Sequence, residues 1–436
     1  MSSPRLRDPL RRPVFRRLAL SYAVNELGDW MGIVALSVLV FDQTESAMAT
    51  ALLFVGTGFL PAMLAPILVA RIEQPPPRLV LPVLYCAEAA AFGTLALVAS
   101  NFSLPAVLVL ATLDRALAVS ARALTRAVVA AMLEPHGELR AGNAILNIGF
   151  TGGAALGPGI AGLVVASFGI QSALLLDGVS FYLIAWIILT AGHLPQAEPD
   201  SGHMRERLVA GLAYIREQIA LRRLIIAEAT ALIFFAAVIP IEVIYAKDTL
   251  GVGDSGYGLL LASWGAGMVV GGIAFAALRA TRLGLLLFFS TAGIAAGYLG
   301  MAAAPELTIA CMAAAVGGAG NGIWWVAMVS AVQELTTASM QARVMSVVES
   351  LGAAMPGIGY LAGGVVATIA EPRATFLFAG LGVLGLLAIA TPLLAARLPG
   401  RTSVYAGNAA EEDEVMVELI PAVGPNSIQS DREVTS

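Results

Sequence analysis

Between Leu18 and Phe41 an otherwise apolar run carries the segment NELGDW, with Glu26 and Asp29 three residues apart and Asn25 one turn before Asp29. On a helix such an i, i+3 pair shares a face. A charge near the middle of a bilayer costs about 3 kcal/mol or more unless it is paired or faces a cavity, so NELGDW is expected to form a transport-pathway face whose two acids meet a water-filled cavity rather than lipid. Further ionisable residues interrupt later apolar runs. Glu88 falls mid-run, Asp114 and Arg115 fall mid-run together, Arg122 follows two turns later, and Glu349 opens another run. Proton transfer is the chemistry this set offers. A carboxyl that is neutral when desolvated and ionised when paired with Arg115 would load or release a proton as the protein changes shape. Glu26, Asp29, Glu88, Asp114 and Arg115 are therefore proton-coupling candidates. A static ion-pair network of Asp114, Arg115, Glu26 and Asp29 that locks helices together is the competing reading. Glu349 and Arg122 sit closer to one end of their runs, where gate salt bridges or snorkelling are the expected roles.

Other residues suit a substrate more than a proton. The glycine-rich stretch GGAGNGIWWVAM (317–328) sets Asn321, Trp324 and Trp325 on one apolar run, and two aromatics with an amide suit a large amphiphile. Tight packing of small and aromatic residues would produce the same text. Asn143 and Asn147 lie one turn apart and face the same way. Asn143 reads as a gate residue, Asn147 as a cavity residue, and Asn25 as a cavity residue beside Asp29. Asp177 is expected either to hydrogen-bond between helices or to take a role in the site, Glu228 to reach an interface, and Glu242, after Pro240, to line a vestibule or a wetted helix end. Trp264, Phe181 and Tyr182 read as packing.

The elements that must hold these side chains are membrane helices. The chain has 436 residues, 58% hydrophobic and 13% charged, far below the roughly one-quarter charged of soluble domains. Apolar runs of about twenty residues recur throughout, each long enough to cross a hydrocarbon core of about 30 Å. Twelve spans are predicted, near 18–41, 47–70, 79–100, 104–130, 142–167, 171–192, 224–246, 256–278, 283–304, 307–332, 343–369 and 375–396. Nearly all arginines fall in segments that alternate to one side, from Arg5 to Arg17 at the start to Arg397 and Arg401 at the end. The opposite side has only Lys247 and Arg373. The positive-inside rule then places both termini in the cytoplasm. Cys86 and Cys311 fall within spans and read as free, buried thiols, and histidine is too scarce for a metal cluster.

The chain also repeats. AGLVVASFG (161–169) is similar to AGGVVATIA (362–370), about two hundred residues apart, so the expected organisation is two pseudo-symmetric six-helix bundles. These are 18–192 and 224–397, after a basic tail (1–17) and before an acidic, disordered tail (398–436). The linker 193–223 carries RERLVAGLAYIREQIALRRLI, whose Leu208, Leu212, Ile215 and Ile219 recur at helical spacing, as in an amphipathic surface helix. The GxxxxGK[ST] phosphate-binding pattern does not occur, which argues against ATP-driven transport within the chain. The sequence offers no persuasive nucleophile–base pair, so an enzyme is not expected.

Twelve spans in two halves resemble the major facilitator superfamily. GGAALGPGIAG (152–162) matches that superfamily's fifth-helix motif through Gly153, Gly157, Pro158 and Gly162, a pattern that marks exporters working by proton antiport. LGDWMGIVALSVLVFDQTESAMATALLFVGTGFLP (27–61), LRAGNAILNIGFTGGAALGPGIAG (139–162) and IPIEVIYAKDTLGVGDSGYGLLLASWGAGMVVGG (239–272) resemble the enterobactin-exporter-like and macrolide-efflux-like branch. The resemblance implies a twelve-helix all-α fold and proton-coupled export of an amphiphilic antibiotic, drug or siderophore. It further implies no cofactor beyond the proton gradient, no nucleic-acid partner, a monomer, and a bacterial inner-membrane location. Two positions depart from the pattern. The motif after the second helix usually places an Asp before its Arg, as part of a charge relay, but here Ala70 precedes Arg71. The fourth-helix motif keeps Arg115, associated with proton coupling, and loses its Gln. Import, lipid handling and a non-transporting receptor or scaffold remain the rival readings.

Overall fold

The computed structural model describes residues 7–63, 76–192, 194–195, 204–278, 281–337 and 339–395. Every element among them is helical. In chain order these are α1 (Pro13–Thr44), α2 (Ala47–Met63), α3 (Pro77–Ser100), α4 (Leu104–Leu133), α5 (Leu139–Phe168) and α6 (Ile170–Leu189), then a surface helix α7 (Met204–Glu217). The second set is α8 (Ile219–Thr249), α9 (Asp254–Ala277), α10 (Leu283–Ala303), α11 (Leu307–Glu334), α12 (Gln341–Ile369) and α13 (Pro372–Ala395). Eleven described helices are long and apolar enough to cross a membrane, and α2, Ala47–Met63, is a shorter apolar helix. Ala70 and Arg71 lie outside the described residues, as does the tail after 395.

Local chemistry sets the boundaries. Proline occupies the first turn of α1, where its missing N–H is one of those the helix start leaves unpaired. Glu45 closes α1 in the left-handed conformation at φ 48°, and Ser46 caps α2 by accepting a hydrogen bond from the Ala49 N–H at 3.2 Å. The surface helix is shorter than the 205–225 pattern implies. Gln218 adopts an extended conformation after Glu217, and the chain re-enters a helix at Ile219 as part of α8. Arg222 and Arg223 therefore begin a membrane helix. The buried stripe of α7 runs through Gly211 and Ile215 against α12, while Leu212 and Ile219 are exposed. A Cβ at Gly211 would stand 2.5 Å from the Arg343 carbonyl oxygen.

The two halves meet along two seams, α5 with α9 and α2 with α12. Small residues make both. A Cβ on Gly162 would lie 2.8 Å from the Gly258 Cα, and one on Gly265 would lie 2.6 Å from the Ala154 carbonyl oxygen. On the other seam Gly364 packs on Ala51 and Gly357 on Phe59. Toward the face that carries the start of α1 and the end of α13 the seams open. Gly152 of α5, Gly272 of α9 and Gly352 of α12 have no neighbour within 4 Å of where a Cβ would stand. The halves are thus closed at one face and parted at the terminal face. At the closed face Lys247 pairs with Asp42 at 2.5 Å and with Asp254 at 2.7 Å, tying α8 and α9 to α1 across the divide.

Candidate functional site

Two features share the centre of the molecule: an ionisable cluster inside the first half and a cavity between the halves. Asp29 on α1 is the hub of the cluster. Its Oδ2 lies 3.0 Å from Arg115 Nη1 and accepts a hydrogen bond from Arg122 Nη2 at 2.5 Å. Arg122 Nε reaches Glu26 Oε1 at 3.3 Å. The seven-residue spacing of the two arginines, two turns of α4, is what lets them reach acids one turn apart on α1. Asn25 donates from Nδ2 to Asp29 Oδ2 at 3.5 Å. One turn toward the terminal face, Arg126 donates to the Tyr22 hydroxyl at 3.0 Å, with its guanidinium 5.9 Å from the ring centroid.

Glycines on α1 and α5 allow this closeness. Gly153 faces the backbone of Glu26, where a Cβ would stand 2.9 Å from the carbonyl carbon, and Gly157 faces Trp30 at 2.6 Å. Gly162, nine residues or about two and a half turns on from Gly153, faces the other half instead. The fifth-helix motif therefore joins the NELGDW segment on one side to α9 on the other, with Pro158 on the cavity wall between them.

Three further acids surround the hub. Glu88 is fully buried, and neither of its carboxyl oxygens has a hydrogen-bond partner among the described residues. Asp114 and Asp177 are buried, each with one oxygen unpartnered, and Ser180 donates to Asp177 Oδ1 at 3.3 Å. Glu88, Asp114 and Asp177 lie within electrostatic range of one another, of Asp29 and of Arg115. Five carboxyls thus share two guanidiniums. Sequence reading leaves Asp177 open between an interhelical hydrogen bond and a role in the site, and the structure sets it beside the cluster. Gly28 and Gly32, four apart on α1, form the notch that admits it; a Cβ on Gly32 would stand 2.9 Å from Asp177 Oδ2. That i, i+4 glycine pair flanking Asp29 was the available signal.

The acids do not face the cavity, contrary to the expectation for NELGDW. Glu26 is 1% exposed and Asp29 8%, because both turn into the first bundle toward α4. Asn25 turns with them and is not a cavity residue. The neighbour that reaches the cavity from α1 is Trp30.

The cavity measures about 530 Å³ and is walled by both halves. Asn147, Asn321, Trp324 and Trp325 all line it. Trp264, read from sequence as packing, lines it too, stacked on Tyr298 with centroids 5.3 Å apart. Phe235 stands 6.1 Å from Trp264, and Glu242 lies on the same wall. Phe181 packs between Tyr85 and Phe92, as expected, whereas Tyr182 and Cys86 are exposed on the outside of the bundle. Asn143 and Glu349 are exposed toward the terminal face, apart from both cluster and cavity. Glu228 is buried with one oxygen unpartnered rather than reaching an interface.

A bundle of apolar helices in two halves, with a cavity between them that is closed at one face, is the architecture of a major facilitator superfamily transporter. The sequence matches the family described as transmembrane secretion effector over residues 6–436, and the chain belongs to that family. No curated protein matches it significantly. Among solved structures it is similar to the nucleoside transporter NupG, at 12% identity and a TM-score of 0.71, over 88% of this chain and 99% of that one. It is also similar to a bacterial homolog of the human lysosomal transporter Spinster in an inward-facing, occupied conformation (14% identity, TM-score 0.66, 90% and 98% covered). A bacterial homologue of the iron transporter ferroportin in an inward-facing state gives 14% identity and a TM-score of 0.66, with 88% and 98% covered. At such identities the likeness speaks for the fold.

Proposed function

We propose that this transporter is a proton-coupled exporter of an amphiphilic small molecule, such as an antibiotic, drug or siderophore, working by alternating access at the bacterial cytoplasmic membrane with both termini inside. Asp29, held between Arg115 and Arg122 beside three acids without a cation of their own, carries the reading. A low-dielectric interior does not keep five carboxylates ionised against two guanidiniums, so the cluster stores protons. Protonation of Asp29 would release both arginines and loosen α1 from α4. The shift would pass to α5 through Gly153 and Gly157, and so to the seam at Gly162. Glu26, Glu88 and Asp114 are the other candidates for holding the proton, and Arg115 and Arg122 are the counter-charges that sense it.

Cavity composition supports an amphiphilic substrate: tryptophans and aliphatic side chains make most of the wall, and Asn147 and Asn321 offer fixed hydrogen bonds. The parted terminal face suits loading from the cytoplasm. The exporter-type motif on α5 and the likeness to the enterobactin-exporter-like and macrolide-efflux-like branch support the outward direction. We further propose that the chain acts as a monomer, with protons, substrate and lipid as its partners, and without a cofactor or nucleic acid. Arg71, preceded by Ala70, is retained as a candidate gate residue with Arg122, Asn143 and Glu349.

The test is purified protein in proteoliposomes with an imposed pH gradient, screened with macrolides, tetracyclines, dyes and siderophores. Substrate-dependent proton flux that disappears in Asp29→Asn is the expected result. Unchanged flux in that variant would move the coupling to Glu26, Glu88 or Asp114. Substrate movement that ignores the gradient would favour uncoupled import or lipid handling instead.

A further inference from the structure

Glu242 follows the short 3-10 turn Ile239–Ile241 that interrupts α8 at Pro240, and it stands on the cavity wall near the closed face, five residues before the Lys247 clamp. Among the described residues no lysine, arginine or hydrogen-bond donor is paired with its side chain. The titratable groups in electrostatic range are the hydroxyls of Tyr257 on α9 and Tyr298 on α10, and neither brings positive charge. The other ionisable residue on the cavity wall is the cation Arg126, which donates to the Tyr22 hydroxyl toward the terminal face. Toward the closed end, where Lys247 is taken up by Asp42 and Asp254, the wall carries the carboxyl of Glu242.

Its aromatic surroundings are the second observation. Phe235, Trp264 and Trp30 line the same cavity as Glu242, and Tyr298, which lies in electrostatic range of Glu242, stacks on Trp264 and stands 6.5 Å from Phe235. Ring faces beside a lone carboxylate favour an organic cation, by attraction to the ring quadrupole as well as by charge. A carboxylate kept without a cation inside a membrane protein is costly unless its counter-charge arrives from outside the fold. A proton alone would neutralise it too, but would give no use to the rings.

We infer that Glu242, with Trp264, Phe235 and Trp30, receives the positively charged head of an amphiphilic organic amine or quaternary cation, whose apolar body lies along Leu261 and Ile294. This rests on the transport reading and narrows it: the substrate is a cation rather than an anionic or neutral amphiphile. The acid cluster in the first half then handles protons, and Glu242 in the second half selects the substrate.

Two probes of one shape and opposite charge test this, tetraphenylphosphonium and tetraphenylborate. Each is titrated into the purified full chain in detergent near neutral pH, with binding read by calorimetry and tryptophan fluorescence. The phosphonium is expected to bind at least about tenfold more tightly than the borate, with quenching that reports the cavity tryptophans. Glu242→Gln should remove most of that preference by weakening the phosphonium alone, and Glu242→Asp should keep it. Equal or tighter binding of the borate to the unaltered protein would overturn the inference. So would a Glu242→Gln protein that melts and elutes normally yet keeps the full preference. Should the Gln variant fail to fold, the ratio in the unaltered protein and in Glu242→Asp decides. The two readings fail separately. Phosphonium selectivity without proton-linked movement in vesicles would overturn antiport only, whereas proton-linked export of neutral or anionic compounds alone would overturn cation selection only.

Discussion

The two halves of the molecule carry a similar segment on their fifth helices, AGLVVASFG on α5 and AGGVVATIA on α12, and each helix contains a proline, Pro158 or Pro356. Their interiors differ. The first half buries Glu26, Asp29, Glu88, Asp114 and Asp177 around Arg115 and Arg122. The second half buries Glu228, Asn321 and Ser290 and carries an aromatic stack of Phe235, Trp264 and Tyr298. Duplication supplies two similar frames that can rock about a shared cavity. What fills them has diverged into a charged interior in the first half and, in the second, an aromatic wall with Glu242 set in it.

The largest expected effect comes from removing the hub of the charged half. Asp29→Asn leaves two guanidiniums against Glu26, and breaking a buried ion pair from one side costs about 3 kcal/mol or more. Thermal unfolding in detergent should register that loss, and substrate-linked proton flux should vanish with it. Asn321→Ala in the other half removes one amide, worth about 1 kcal/mol. It should weaken substrate binding while leaving the ratio of protons to substrate unchanged. If Asn321→Ala alters that ratio, or Asp29→Asn alters only affinity, the division between the halves is wrong.

Next in size are the seams. Gly162→Leu would drive a side chain into the α9 backbone at Gly258, and overpacking of this kind costs about 1–3 kcal/mol. The closed face should open, and cysteines introduced beside Asp42 should become reactive to impermeant thiol reagents. Gly152→Ala and Gly272→Ala, with open space where a Cβ would stand, should leave that accessibility unchanged. A comparable opening in both sets would mean that the seams do not hold the closed face.

Much of the fold was legible because its signals are local. Runs of apolar residues and their charged flanks mark each span without reference to any other. The fifth-helix glycines were legible for the same reason, although the sequence does not say that Gly153 and Gly157 face Glu26 and Trp30 while Gly162 faces α9. The sites were less legible because they depend on how helices rotate about their axes. Asp29 and Trp30 are adjacent in sequence, yet one turns into the bundle and the other into the cavity. The same rotation leaves the role of Asp177 open until the Gly28–Gly32 notch is placed over it. Trp264 reads as packing in any apolar run and becomes a cavity wall only when α8 and α10 are in place.

A smaller effect is expected at the clamp that joins the halves. Lys247→Met removes two ion pairs at the closed face, each worth under about 1 kcal/mol where solvent reaches it. The loss should shift the balance toward the face-open state by roughly fivefold to tenfold. Distance measurements between labels on α1 and α9 would report this as a change in populations, with both distances already present in the unaltered protein. A single new distance would instead indicate local unfolding of the Tyr245–Thr249 turn.

The smallest effect concerns a pair that stays within the first half, at the terminal face. Arg12 Nε donates to Glu138 Oε2 at 2.9 Å, tying the chain just before α1 to the start of α5. The hydrogen bond and charge of Arg12 hold the Glu138 carboxyl below its ordinary value of 4.5, and Glu138 in turn raises Arg12. For a depressed carboxyl the stabilisation is complete above the unfolded value and fades as pH falls through the folded one. The tie should therefore be constant from about pH 6 to 8 and weaken below about pH 4.5. Hydrogen exchange of residues 9–16, corrected for intrinsic rate, should rise about two- to fivefold across that lower window, the scale of an exposed ion pair. Glu138→Gln should show the faster exchange at every pH and no step. Because Arg12–Glu138 does not cross between the halves, its loss should leave the clamp populations at Lys247 unchanged. A parallel shift at both faces would show that the terminal face and the closed face are coupled through α1 itself, which would make the first half, rather than the seams, the element that rocks.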